Sequence, residues 1–93
     1  MKIEKMTQIL KALAHPTRLE ILLFLKERES ECVCKIYESL NLEQSNISQH
    51  LRILKNSGVL DPKKEGQWVH YRVAYKEIFD ILQSVETITT KDQ

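Results

Sequence analysis

A mainly α fold carrying one β-hairpin is predicted by three features of this 93-residue sequence. Apolar residues recur at three- and four-residue spacing through five separate stretches, the period of a helix with one buried face. Between residues 68 and 73 the period drops to two, with Val69, Tyr71 and Val73 alternating with Trp68, His70 and Arg72. Only two glycines and two prolines are present, and none interrupts a long periodic segment. The apolar share of 42% and charged share of 29% are those of a globular chain, which excludes a disordered one.

The elements follow in order. Ile3, Met6, Ile9, Leu10 and Leu13 predict an amphipathic helix over residues 2–13. Pro16 suits the first turn of a second helix, whose Leu19, Leu22 and Leu23 share a face widened by Ile21, Phe24 and Leu25. The charged segment 26–31 ends that helix. Val33, Ile36, Tyr37 and Leu40 define a short third helix, and Asn41-Leu42-Glu43 form a tight turn after it. Ile47, Leu51 and Leu54 run at i, i+4 and i+7 along a fourth helix that Gly58 stops. Val59 and Leu60 open a strand that returns through 69–73 across a turn at Glu65-Gly66; Pro62 confines the first strand to an edge or a short ladder. Tyr75, Ile78, Phe79, Leu82 and Val85 restore the helical period over 75–88. The whole of 1–93 is expected to be one domain.

Several function classes drop out. The longest apolar run, Ile21 to Leu25, is far too short to span a membrane. Lys2 is not followed by the apolar stretch and small-residue site of a signal peptide, so a cytoplasmic protein is expected. No glycine-rich phosphate loop, Ser/His/Asp set or paired-carboxylate site is visible, and a thiol oxidoreductase would need C-x-x-C in a βαβ context. No enzyme is expected. In the cytosol the two cysteines, Cys32 and Cys34, read as metal-binding or redox-active before they read as a structural disulfide.

Net charge is only +1, but its distribution is uneven. Residues 1–44 balance seven Lys/Arg with seven Glu; residues 45–72 carry five Lys/Arg against two acids, an excess of +3; residues 73–93 carry two Lys against four acids, an excess of −2. The positive excess coincides with a short helix, a three-residue turn and a second helix, the geometry that lays one helix in the DNA major groove. With Ile47, Leu51 and Leu54 turned to the core, Ser45, Asn46, Ser48, Gln49, His50, Arg52 and Lys55 remain as candidate DNA contacts. Asn and Gln can pair with adenine edges, Ser with base or phosphate, and Arg and Lys with phosphate. An ordinary solvated face would also be polar, yet it usually carries Glu, and Ser45 to Ser57 contains no acid. The hairpin after this helix, with Lys63, Lys64, Gln67 and Arg72, can reach the adjacent groove or backbone, making the fold a winged helix-turn-helix (32–58 with wing 59–73).

These residues carry a resemblance to a known family. K11-A-L-A-H-P-T-R-L-E-I-L, the CVC at 32–34, Q44-S-N-I-S-Q-H-L-R-I-L-K-N-S-G-V-L60 and G66-Q-W-V-H-Y-R-V73 are similar to the ArsR/SmtB family of metal-responsive winged-helix repressors over roughly residues 5–85. The resemblance implies a homodimer that binds an inverted-repeat operator in double-stranded DNA and releases it when an inducer binds. It implies dimerisation through the first and last helices (1–13 and 75–88). Ile3, Met6, Leu10, Ile78, Leu82 and Val85 supply apolar stripes there that so small a domain could hardly bury alone. The remaining readings of the same fold are a thiol-redox sensor and a protein-interaction module without an inducer.

Cys32 and Cys34 match the CVC of the family's arsenic- and cadmium-type sensors, which makes them the implied metal ligands. No obligatory cofactor is expected; the implied inducer is arsenite or antimonite ahead of cadmium or lead. Thiolates favour soft ions, and a helix amino end raises the thiolate fraction. Residues i and i+2 of a regular helix lie on opposite sides, about 200° apart. Cys32, however, falls at the N-cap, outside helical backbone, so its side chain is free to turn back toward Cys34. A disulfide within one C-x-C is expected to be strained, which directs an oxidative switch toward persulfide or intersubunit chemistry. Tyr37 stands where related sensors carry a third thiol, Lys35 where they commonly carry an acid, and residues 75–93 contain no histidine for the family's zinc or nickel site. His15, His50 and His70 are read as DNA-side or surface residues.

Overall fold

The computed structural model describes residues 1–92; Gln93, the last residue of the expected domain, lies outside the described residues. The chain runs α1 (Ile3–Leu13), α2 (Pro16–Leu25), β1 (Glu31–Cys32), α3 (Val33–Leu40), α4 (Gln44–Asn56), β2 (Leu60–Glu65), β3 (Trp68–Val73) and α5 (Glu77–Lys91). The mainly helical architecture with a hairpin is the predicted one. The helices begin and end where local chemistry directs. His15 caps α2, its Nδ1 accepting from the Thr17 N–H at 3.1 Å, and Pro16 occupies the first turn. Asn41 closes α3 with φ +51°. Gly58, at φ +84°, closes α4: its own N–H donates to Lys55 O and the Val59 N–H to Leu54 O, the paired bonds of a Schellman motif.

One core joins these elements. Ile21, Leu22 and Leu25 of α2, Ile36 of α3, Ile47, Leu51 and Leu54 of α4, and Val59 just before β2 are essentially inaccessible to water. Each such side chain contributes about 1.5–3 kcal/mol of apolar burial, so one shared core holds the third and fourth helices together. Leu23 leaves the expected face of α2: it is 51% exposed, and Leu19 is only half-buried.

The sheet differs from the predicted hairpin in having a third strand. Its order is β1-β3-β2, all antiparallel, with Glu31 opposite Tyr71 and Cys32 opposite His70. A two-residue strand has no period to read, and its pairing depends on a partner about forty residues away. β2 is an edge strand, as Pro62 requires. The two-residue hairpin loop is Gly66-Gln67, one position later than expected, with Glu65 facing Trp68 and Gly66 at φ +65°. Positive φ at the first loop residue is what a II′ turn needs, and glycine supplies it without strain. The last helix also starts two residues later than expected, leaving Tyr75 outside it and 61% exposed, and it continues to Lys91.

Candidate nucleic-acid interface and thiol site

The helix-turn-helix is α3, the three residues 41–43, and α4. On α4 the structure leaves Ser45, Asn46, Gln49, Arg52 and Lys55 exposed along one side, opposite the buried Ile47, Leu51 and Leu54. Among the described residues neither Arg52 nor Lys55 forms a salt bridge. A helix face with two uncommitted cations, an exposed Asn and an exposed Gln is chemically suited to phosphates and base edges.

Two residues expected on that face are turned partly inward. Ser48 is half-buried, its Oγ 2.6 Å from the Tyr37 hydroxyl of α3. His50 is half-buried against α2, with its ring 4.3 Å from that of His15 and its Nδ1 buried without a partner. Their positions follow from helix geometry, since both adjoin the buried stripe and not its opposite. In the wing, Arg72 donates from Nε and a terminal nitrogen to the Asp61 carboxylate across the ladder, at 3.1 and 2.9 Å. This ties down a guanidinium expected to face DNA. Lys63, Lys64 and Gln67 are exposed at the hairpin tip, where Lys63 is only loosely paired with Glu65 at 4.0 Å.

Burial first, then His15 and Arg18, hold the His50 pKa below its ordinary value of 6.5. The folded chain therefore takes up its proton at lower pH than the unfolded chain does. The sign follows: this group leaves stability unchanged above about pH 6.5 and reduces it as pH falls from there through the depressed pKa. Thermal melts from about pH 7.5 to about pH 5.5 are expected to drop more for the wild type than for His50→Gln. Equal drops would remove His50 from the account.

The thiols occupy the junction between sheet and helix. Cys32 ends β1 and caps α3 in extended backbone, φ −63° and ψ 140°, and its Sγ accepts from the Cys34 N–H at 3.3 Å. Its side chain is thus turned back as the cap position allows. The two sulfurs lie in direct contact with Cα atoms 5.3 Å apart, inside the span that a disulfide uses. The C-x-C pair is therefore within pairing distance inside one chain, as the expected cap position of Cys32 allows, where a regular helix would set the two on opposite sides. Among the described residues no group of three His, Cys, Asp or Glu side chains gathers to hold a metal ion.

The apolar stripes of α1 and α5 meet α2 in a groove of about 410 Å³ lined by Leu10, Leu13, Leu19, Leu23, Leu82 and Val85, among others. Leu10, Leu23 and Val85 are each about half exposed. Ile78 is a correction to the expected interface set: it is 4% exposed and belongs to the chain's own core. It lies in the first turn of α5, nearest the core, whereas Leu82 and Val85 lie one and two turns further out. Leu19 and Leu23 are the groove residues that the sequence had assigned wholly to the α2 core.

Residues 15–61, the segment that holds the thiols, the turn and α4, match the family described as bacterial regulatory protein, arsR family. The chain belongs to that family. It is 42% identical over 87 residues to an uncharacterised HTH-type transcriptional regulator of Methanocaldococcus jannaschii, covering 94% of this chain and 98% of that one. It is 46% identical over 67 residues to the arsenical resistance operon repressor of Escherichia coli, covering 72% of this chain and 57% of the repressor. Among solved structures it superimposes on HlyU from Vibrio cholerae with TM-score 0.82 and 31% identity, over 95% of this chain and 97% of the other. An arsR-family chain with this winged helix-turn-helix is a DNA-binding transcriptional regulator and not an enzyme. Among the described residues no helix is long and apolar enough to cross a membrane.

Proposed function

We propose that this chain is a homodimeric repressor that releases its operator when a thiophilic metalloid, arsenite or antimonite, binds Cys32 and Cys34. In this reading residues 32–58 carry recognition, 59–73 the wing, and α1 with α5 the dimer contact. The observation that carries it is the cap: one residue is at once a soft ligand, the start of α3 and the end of a strand paired to the wing. Ligation that shifts Cys32 relative to Cys34 acts on the start of α3 and on the strand beside the wing together. The resemblance to an arsenical resistance repressor supports the choice of ligand. With two thiols per chain, a three-coordinate metalloid keeps one position for water, an added thiol or the partner subunit. Cadmium and lead, which favour more sulfur, are expected to bind less tightly.

The experiment is release from an operator selected by the wild-type protein out of random duplexes. Arsenite, antimonite, cadmium and a persulfide donor are titrated in turn. The selected sites are expected to be inverted repeats with half-sites one or two helical turns apart. If no salt-sensitive duplex binding is found, the chain is a protein-interaction module.

The Cα separation of 5.3 Å, within the span of a disulfide, favours a second reading of the same site, thiol-redox sensing. A peroxide would convert the two thiols to one intrachain disulfide, releasing two waters. Release by peroxide and not by arsenite would select it.

Base reading is assigned to the exposed residues Ser45, Asn46 and Gln49, and phosphate contact to Arg52, Lys55, Lys63 and Lys64, with Gln67 at the tip. Ser48, His50 and Arg72 position these groups. Gln49→Ala is expected to relax preference at one base per half-site by about 1–3 kcal/mol, and Arg52→Ala to weaken all duplexes alike. Anisotropy on cognate and mismatched operators separates the two effects. Wild-type behaviour of both variants would place recognition elsewhere.

A further inference from the structure

Sensing at Cys32 and Cys34 has to reach a face of α4 that begins ten residues later. Tyr37 lies one turn beyond Cys34 on α3 and turns its hydroxyl to Ser48 Oγ, 2.6 Å away. Among the described residues this is the only side-chain-to-side-chain hydrogen bond that joins two helices. Ser48 sits on the stripe of Ser45 and Arg52, at i+3 and i−4 from them, so a bond on its hydroxyl holds the roll of the DNA-facing side. Tyr37 also neighbours the wing. Burial and then Tyr37 push the Tyr71 phenol pKa up, and Tyr71 is paired with Glu31 beside the thiols.

We infer that Tyr37 is a positioning residue whose hydroxyl bond to Ser48 sets the roll of α4, and that occupying Cys32 and Cys34 lowers operator affinity by breaking that bond. The second half rests on the proposed thiol sensing. α3 has only eight residues, about 12 Å, and its first turn is the thiol site. A change at the cap has little helix in which to dissipate before Tyr37. The bond is sensitive, because lengthening it by about 1 Å takes it beyond hydrogen-bond range. The core residues of the two helices, Ile36, Ile47 and Leu51, belong to one apolar cluster whose burial is non-directional, so they tolerate a small slide that the hydroxyl pair does not.

The test uses the full chain, the selected operator and arsenite as probe. Tyr37→Phe keeps the ring and removes only the hydroxyl; circular dichroism confirms that it folds. It is expected to bind operator roughly three- to tenfold more weakly without arsenite, resembling the wild type with arsenite. Arsenite should bind its thiols at least as tightly as in the wild type, because no bond has then to be broken, read from the ultraviolet arsenic–sulfur absorption, yet release operator by less than about twofold further. Adding Tyr37→Phe to Ser48→Ala should cost nothing more, which a packing role would not produce. Wild-type operator affinity of Tyr37→Phe, undiminished release by arsenite, or additive losses in the double variant would each overturn the inference. If the wild type resists arsenite while Tyr37→Phe binds weakly, the thiol link is overturned and the positioning of α4 stands.

Discussion

Val85→Glu is expected to leave the protein monomeric at micromolar concentration and to weaken operator binding by about 10²–10⁴-fold. Val85 is 52% exposed, so the change spares the chain's own core, but it places a carboxylate on the groove between α1, α2 and α5. Pairing two such grooves would bury two charges without counter-ions, a cost of several kcal/mol per ion. An operator bound through two half-sites gains from the second an effective concentration that a monomer lacks, and that is the affinity lost. Analytical ultracentrifugation and anisotropy make the measurement, with Gln83→Glu, on the exposed side of the same helix, as the charge control. Ile78→Glu should behave differently and unfold the chain, because that side chain lies in the core. A dimeric Val85→Glu would mean that the subunits meet elsewhere.

The other large effect is expected from Cys32→Ser/Cys34→Ser, which should bind operator as the wild type does and lose arsenite release altogether. Serine is among the best N-cap residues, so position 32 keeps its role in starting α3. What disappears is the soft donor, and hydroxyl oxygen does not replace thiolate toward a thiophilic metalloid. Typical coupling between effector and ligand is about 5–150-fold, so the contrast between the two proteins should be of that order. Peroxide applied to both proteins separates ligation from oxidation. Release of the double variant by arsenite at wild-type concentration would acquit the thiols.

Much of this molecule was legible from its residues alone. The helices announced themselves by period, α4 by its acid-free outer face, and the cap by Cys32 just ahead of Val33 and Ile36. Periodicity and capping are local properties, set within a turn or two, and they survive whatever the rest of the chain does. The rotation of each helix against its neighbours is not local. It turned Ser48 and His50 inward, placed Ile78 in the core, and sent Leu23 of α2 outward into the groove. Long-range pairing added β1 beside β3, Arg72 to Asp61 and Tyr37 to Ser48. The sequence by itself thus determined the kind of each long element, the cationic outer face of α4 and the position of the thiols. Only the tertiary structure decided how the thiols stand relative to that face, because the contacts between them form among residues that the chain brings together only when its one core closes.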